Sequence, residues 1–94
     1  MSVLHLAARM GFIEVAKTLL TNGADVKKPD REGRTPLHKA AEYGRIEIIK
    51  MLAKHHANLL RNDDYGMKPL DAAEDMRQTE SVDLLRKMTA KHAI

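Results

Sequence analysis

The sequence predicts an all-α solenoid of stacked helix-turn-helix units joined by β-turn or hairpin tips, and three observations carry that prediction. Ser2-Val3-Leu4-His5, Thr35-Pro36-Leu37-His38 and Lys68-Pro69-Leu70-Asp71 recur at a spacing of 33 residues. Farther along each unit the apolar positions keep the same register: Ala16, Ile49 and Val82; Leu19, Leu52 and Leu85; Ala24, Ala57 and Ala90. A period held through three units is the signature of a repeat architecture, in which each unit buries its apolar face against a neighbour. The third observation is composition. With no Trp, one Phe and two Tyr, the core is made of Ala, Leu, Ile, Val and Met, which suits thin, closely stacked helices. Ninety-four residues give a single domain over 1–94, with repeats at about 1–29, 30–62 and 63–94, and a short chain buries a modest share of its surface.

Each element has a local cause. In the first unit Ile13, Ala16 and Leu19 form the apolar stripe of a second helix, and Leu4, Leu6, Val15, Leu19 and Leu20 stay apolar although no turn precedes them. That end is expected to be covered, either by a further repeat of a longer chain or by a partner. In the middle unit Asp30-Arg31-Glu32-Gly33 is a tight turn, since glycine adopts backbone angles closed to other residues. Thr35 caps a helix that runs from Pro36, whose missing N–H costs nothing at the first position, to Glu42, and Gly44 ends it. A second helix starts near Ile46, with Ile46, Ile49 and Leu52 inward and Glu47, Lys50 and Lys54 on the other side. The third unit departs from this pattern. Ser81 stands where the others have Val15 and Ile48, Arg86 where they have Leu20 and Ala53, and Arg77 where they have Gly11 and Gly44. These changes are expected to make one face polar, so that Lys68 to Met88 forms a C-terminal cap and Thr89 to Ile94 a fraying tail.

The 33-residue unit with Thr-Pro-Leu-His, the following Ala-Ala pair and the glycine after it resembles the ankyrin repeat, and the resemblance covers almost the whole chain. It implies that His5 and His38 tie each turn to neighbouring backbone. It also implies a non-enzymatic protein-protein interaction module that binds a partner through its tips and the exposed side of the first helices. Carried onto this sequence, those positions are Arg31, Glu32 and Arg34 on the first tip, Asp64, Tyr65 and Met67 on the second, and the helix pairs Arg9-Met10, Glu42-Tyr43 and Asp75-Met76. Some ankyrin repeats carry a hydroxylated asparagine after the Ala-Asp-Val segment; here Lys27 and Leu60 occupy that position, so the modification is not implied.

The residues themselves single out two surface features. Met10, Tyr43 and Met76 stand 33 residues apart at a position the core does not require, and both residue types are favoured at interface centres. From Lys27 to Arg34 four basic residues outnumber two acidic ones, whereas Arg61 to Lys68 is balanced, which suits an acidic segment of the partner at the first tip.

Chemistry is largely excluded. The absence of cysteine removes disulfides, thiolate metal sites and thiol catalysis. His55 and His56 are adjacent, about 100° apart on a helix and poorly placed to chelate; Asp63-Asp64 lacks the spacing of a calcium loop and reads as a turn-forming pair. No phosphate-cradling glycine loop or serine-histidine-carboxylate arrangement is found, so neither a cofactor nor a catalytic residue is expected. The net charge of +3 is spread over 29 charged residues (16 + 13), without the aromatic interleaving or reading helix of a nucleic-acid binder. No apolar run approaches membrane-spanning length and no secretory leader opens the chain, so a soluble intracellular protein, cytoplasmic or nuclear, is expected. Two alternatives to a natural interaction module stand beside it: an engineered or consensus-derived scaffold of the same family, and the targeting arm of a larger enzyme. The irregular third unit, Pro29, Lys68 and Asp71 argue against design.

Overall fold

The computed structural model describes residues 1–92, and in it the repeat becomes three helix pairs. They are α1 (Val3–Met10) with α2 (Ile13–Thr21), α3 (Pro36–Glu42) with α4 (Ile46–Lys54), and α5 (Pro69–Asp75) with α6 (Thr79–His92). Helix α3 lies between α1 and α5, and α4 between α2 and α6, so the first helices form one layer and the second helices another. The middle unit starts and stops where its sequence says it should. Thr35 accepts a hydrogen bond from the His38 backbone N–H, Pro36 opens α3, and Gly44 follows its end with φ of 69°. The third unit makes the same reversal with Arg77 at φ 56°. A side chain in that left-handed region costs roughly 1–2 kcal/mol more than glycine.

Packing explains why the inner helices are rich in alanine. Ala7, Ala8, Ala40, Ala41, Ala72 and Ala73 are all buried, and their small side chains let α1, α3 and α5 approach closely. The larger side chains Leu37, Ile48, Ile49, Leu52 and Leu85 fill the space between the layers. Each such side chain contributes about 1.5–3 kcal/mol by leaving water.

Several expectations change. Ser81 does not help form a polar outer face: it is fully buried, because its position in each unit points toward the preceding helix pair, as Ile48 does. The polar face comes instead from Arg86 and Glu74, which replace Ala53 and Ala41 of the middle unit and pair with each other at 3.0 Å. Leu4 and Leu20 are buried inside the chain, since Leu20 faces the second unit, whereas Ile13 is exposed rather than part of the core stripe. The expected fraying tail is helical from Thr89 to His92 as the end of α6, where the Thr89 hydroxyl donates to the Leu85 carbonyl at 2.7 Å. The remainder of that tail lies outside the described residues. Among the described residues no helix is long and apolar enough to cross a membrane.

Candidate protein-binding surface

The tips are built by two aspartates at equivalent positions. Asp30 Oδ1 accepts from the N–H groups of Glu32 (2.8 Å) and Arg34 (3.0 Å), and its own N–H donates to the Arg34 carbonyl at 2.8 Å. Asp63 repeats this with Tyr65 (2.9 Å) and Met67 (2.8 Å). The tips are also joined to each other, the Asp64 N–H donating to the Glu32 carbonyl at 2.9 Å. Gly33 is required there: a Cβ would lie 3.0 Å from the Asp64 backbone nitrogen and closer still to its carboxylate, and φ is 75°. Asp63-Asp64 is thus a turn-forming pair. Among the described residues no group of three His, Asp or Glu is placed to hold a metal ion.

One histidine fastens each tip to the unit before it. His5 Nε2 donates to the Arg34 carbonyl and His38 Nε2 to the Met67 carbonyl, both at 2.8 Å. Their Nδ1 atoms accept from the backbone N–H and hydroxyl of Ser2 and of Thr35. The carbonyl on one side and the N–H on the other fix the neutral tautomer with its proton on Nε2. Burial pushes both imidazoles below their ordinary value, outweighing the carbonyl partners that favour the charged form. In the third unit Asp71 replaces the histidine and accepts only from the Lys68 N–H at 2.9 Å, so this tie ends there.

Arg34 is committed to the scaffold as well. Its Nε donates to Asp63 Oδ2 at 3.1 Å and its Nη1 to Glu42 Oε2 at 2.7 Å, with the Asp63 side chain fully enclosed. Burial alone would lower the guanidinium, but Glu42 and Asp63 outweigh it and raise it. Burial would raise the Asp63 carboxyl; the Met67 and Tyr65 N–H groups and Arg34 outweigh it and hold it below the usual carboxylate range. Of the expected site residues, the structure therefore brings Arg34 and Glu42 into one inter-unit network. Met67 is half-buried beneath the second tip, while Arg31, Glu32, Asp64 and Tyr65 are exposed on the tips.

The column at the ends of the first helices is open. Met10, Tyr43 and Met76 are 45%, 37% and 47% exposed, and Arg9 and Asp75 beside them are exposed too. The Arg9 guanidinium lies over the Tyr43 ring, 5.9 Å from its centroid, within cation–π range. Beneath the column run two ties that sequence reasoning missed: Arg45 Nε donates to the Arg9 carbonyl (3.0 Å) and Gln78 Nε2 to the Glu42 carbonyl (3.2 Å). Each satisfies a carbonyl at the end of the preceding unit's first helix. The signal was available, because Arg45 and Gln78 are one repeat apart and both are long donors.

The family model described as ankyrin repeats (3 copies) matches residues 2–93. No curated protein matches the chain. Ankyrin repeats are in general protein-protein interaction modules. Three helix pairs in register, tips pinned by histidine and a match over nearly the full length together place the chain in the ankyrin-repeat family.

Proposed function

We propose that this protein is a non-enzymatic module that binds a partner protein across the column Met10, Tyr43 and Met76 and the exposed tip residues Arg31, Glu32, Asp64 and Tyr65. The observation that carries this reading is the column itself. Three soft or aromatic side chains occupy one repeat position, all exposed, above a backbone held by hydrogen bonds from Arg45 and Gln78. Met and Tyr are enriched where interfaces are centred. Arg9, Glu42, Asp75, Arg34 and Met67 border the same surface, with Arg34 and Glu42 positioning the tips. The first tip, with Lys27, Lys28 and Arg31 exposed, favours an acidic segment of the partner.

The test is binding of a segment selected from a displayed peptide library against the intact chain. Removing an interface aromatic at the centre of a patch costs about 2 kcal/mol or more. Tyr43→Ala is therefore expected to raise the dissociation constant roughly 30-fold with little change in melting temperature. Binding that survives Tyr43→Ala but is lost on substituting Lys17, Lys50 and Lys54 would move the site to the second helices and end this assignment.

A further inference from the structure

Between α2 and α4 runs a groove of about 380 Å³, with Ile13, Leu20 and Met51 as its apolar floor and Lys17, Lys54 and His55 on its rim. Its walls are the facing sides of two neighbouring units, so a helix pair stacked on either end of the chain would leave it open. The repeat carries the same plan forward. Between α4 and α6 the counterparts one period on are Ile46, Ala53 and Leu84 for the floor and Lys50 and Lys87 for the rim. These three apolar side chains are partly buried against the core, and both lysines are exposed.

Structural needs of the fold do not account for the lysines. Among the described residues Lys17, Lys54 and Lys87 form no ion pair, and Lys50 meets only Glu47, at 3.8 Å with both side chains largely in solvent. A cation in the last turn of a helix complements the carbonyls there, which is reason enough for Lys54. Lys17, Lys50 and Lys87 lie outside the last turns of α2, α4 and α6 and have no such reason. The acidic residues are set apart from this band, Glu14, Glu47 and Glu80 standing in the first turns of the three second helices. Asp83, the third-unit counterpart of Lys17 and Lys50, falls by its register on the side of α6 away from α4, beyond both grooves.

We propose that the second helices bind an acidic protein segment laid across both grooves, with an apolar side chain seated in each and carboxylates beside the lysines. A nucleic-acid strand would match the cations but leave the apolar floors uncovered. Neither groove, among the described residues, offers an aromatic side chain on which a base could stack. Packed helices lie about 8–10 Å apart, and a polyproline-like chain advances about 3.1 Å per residue and repeats its face every three, so the segment's apolar residues fall at every third position. This surface belongs to the other helix layer from the Met10–Tyr43–Met76 column, and binding here does not depend on binding there.

A short fluorescein-labelled peptide with leucine at every third position and glutamate between, titrated with the intact chain and followed by fluorescence anisotropy, tests the proposal. The expected result is saturable binding at low ionic strength that weakens as salt is raised. Lys17→Glu combined with Lys54→Glu is expected to weaken it about tenfold or more, since like charges would then face each other. Exchanging the leucines for serine, or Ile13 for glutamine in the chain, is expected to weaken it about fivefold or more, as an apolar contact is lost. All three substituted side chains are exposed, so the melting temperatures should stay near the parent's. Tyr43→Ala should leave the peptide's affinity unchanged. Absence of saturable binding at low salt, equal affinity for the serine peptide, or indifference to the paired lysine reversal would overturn the proposal. So would displacement of the peptide by a single-stranded oligonucleotide at equal concentration of charge, which would assign the lysines to nucleic acid. A library-selected ligand that itself needs Lys17 and Lys54 but not Tyr43 would remove the column reading and leave this one standing.

Discussion

Replacing Arg34 by alanine probes how the units are held together. The Asp63 carboxylate that it contacts has no exposed side-chain surface, and Arg34 itself is enclosed except for 17% of its side chain. Breaking a fully buried pair by deleting one partner costs about 3–5 kcal/mol, because a charge is left uncompensated. Two features lower that figure here. Asp63 Oδ1 keeps its donors from Tyr65 and Met67, and Glu42, at 14% exposure, is near enough to solvent to be hydrated. The expected loss is therefore about 2 kcal/mol, a large part of the stability of a small domain. Chemical denaturation of Arg34→Ala, Arg34→Lys and the parent would measure it. Lysine supplies one charge without the planar fork that reaches Asp63 and Glu42 together, so it should recover about half of the loss at most. A second readout is acid sensitivity. With its pKa held low, Asp63 contributes stability that is present above the ordinary 3.8 and lost as the pH falls through the lower folded value. Without Arg34 the folded value rises toward 3.8, so part of that contribution disappears at neutral pH. A change below about 0.5 kcal/mol with an unaltered acid profile would show the network to be a surface arrangement of the kind that contributes little.

Three further outcomes follow from the same packing. Leu52→Ala should cost about 2–5 kcal/mol, since the residue is fully buried between the layers, and a melting temperature within a degree of the parent would contradict the stacking. His5 and His38 are held neutral below their ordinary 6.5. The unfolded chain then binds more protons, so stability falls as the pH drops through 6.5 toward the folded values. A denaturation free energy that is flat across that window, or unchanged in slope when His38 becomes glutamine, would contradict it. The Ser81 hydroxyl is buried without a hydrogen-bond partner, so Ser81→Ala should stabilise the protein, by up to about 1 kcal/mol, in thermal unfolding; a loss of stability would mean the hydroxyl is satisfied.

What could be read from the sequence follows from which forces are local. Thr35, Pro36 and Gly44 determine the ends of α3 through capping and backbone preference, so those boundaries were legible. The direction in which a side chain points within the stack was less so. Ser81 and Arg86 both stand out as polar replacements in one unit, yet one faces inward to α4 and the other outward, a difference set by the handed stacking of pairs and not by periodicity along one helix. The ties between units were the least legible. Arg34 reaches Asp63, and the two histidines their carbonyls, across 29 positions, while Arg45 and Gln78 reach back across 36. These separations are the 33-residue repeat shortened by four or lengthened by three, about one helical turn either way. A search confined to residues in the same register passes over the ties of Arg34, Arg45 and Gln78, and only the two histidine ties were expected, through the resemblance to the ankyrin repeat.

Those ties bear on how the proposed surface would work. Each tip is held by a histidine and an aspartate, and the ends of α1 and α3 by Arg45 and Gln78, so the backbone beneath the column is fixed before any partner arrives. Binding then orders side chains rather than backbone, at about 0.5–1.5 kcal/mol for each flexible one. That cost is unequal along the column. Met10 and Met76 each have several free torsions and adapt to varied shapes, whereas Tyr43 has two and already carries Arg9 on its face. Tyr43 should therefore anchor a partner while the methionines accommodate it, and Met10→Ala or Met76→Ala should weaken binding less than Tyr43→Ala does. Arg9→Ala separates the contributions: if the stacked guanidinium orients the ring, its loss should lower affinity even for a partner with no acidic residue nearby, measured by titration calorimetry at high salt where long-range attraction is screened. An effect of Arg9→Ala that vanishes at high salt would reduce its role to charge alone.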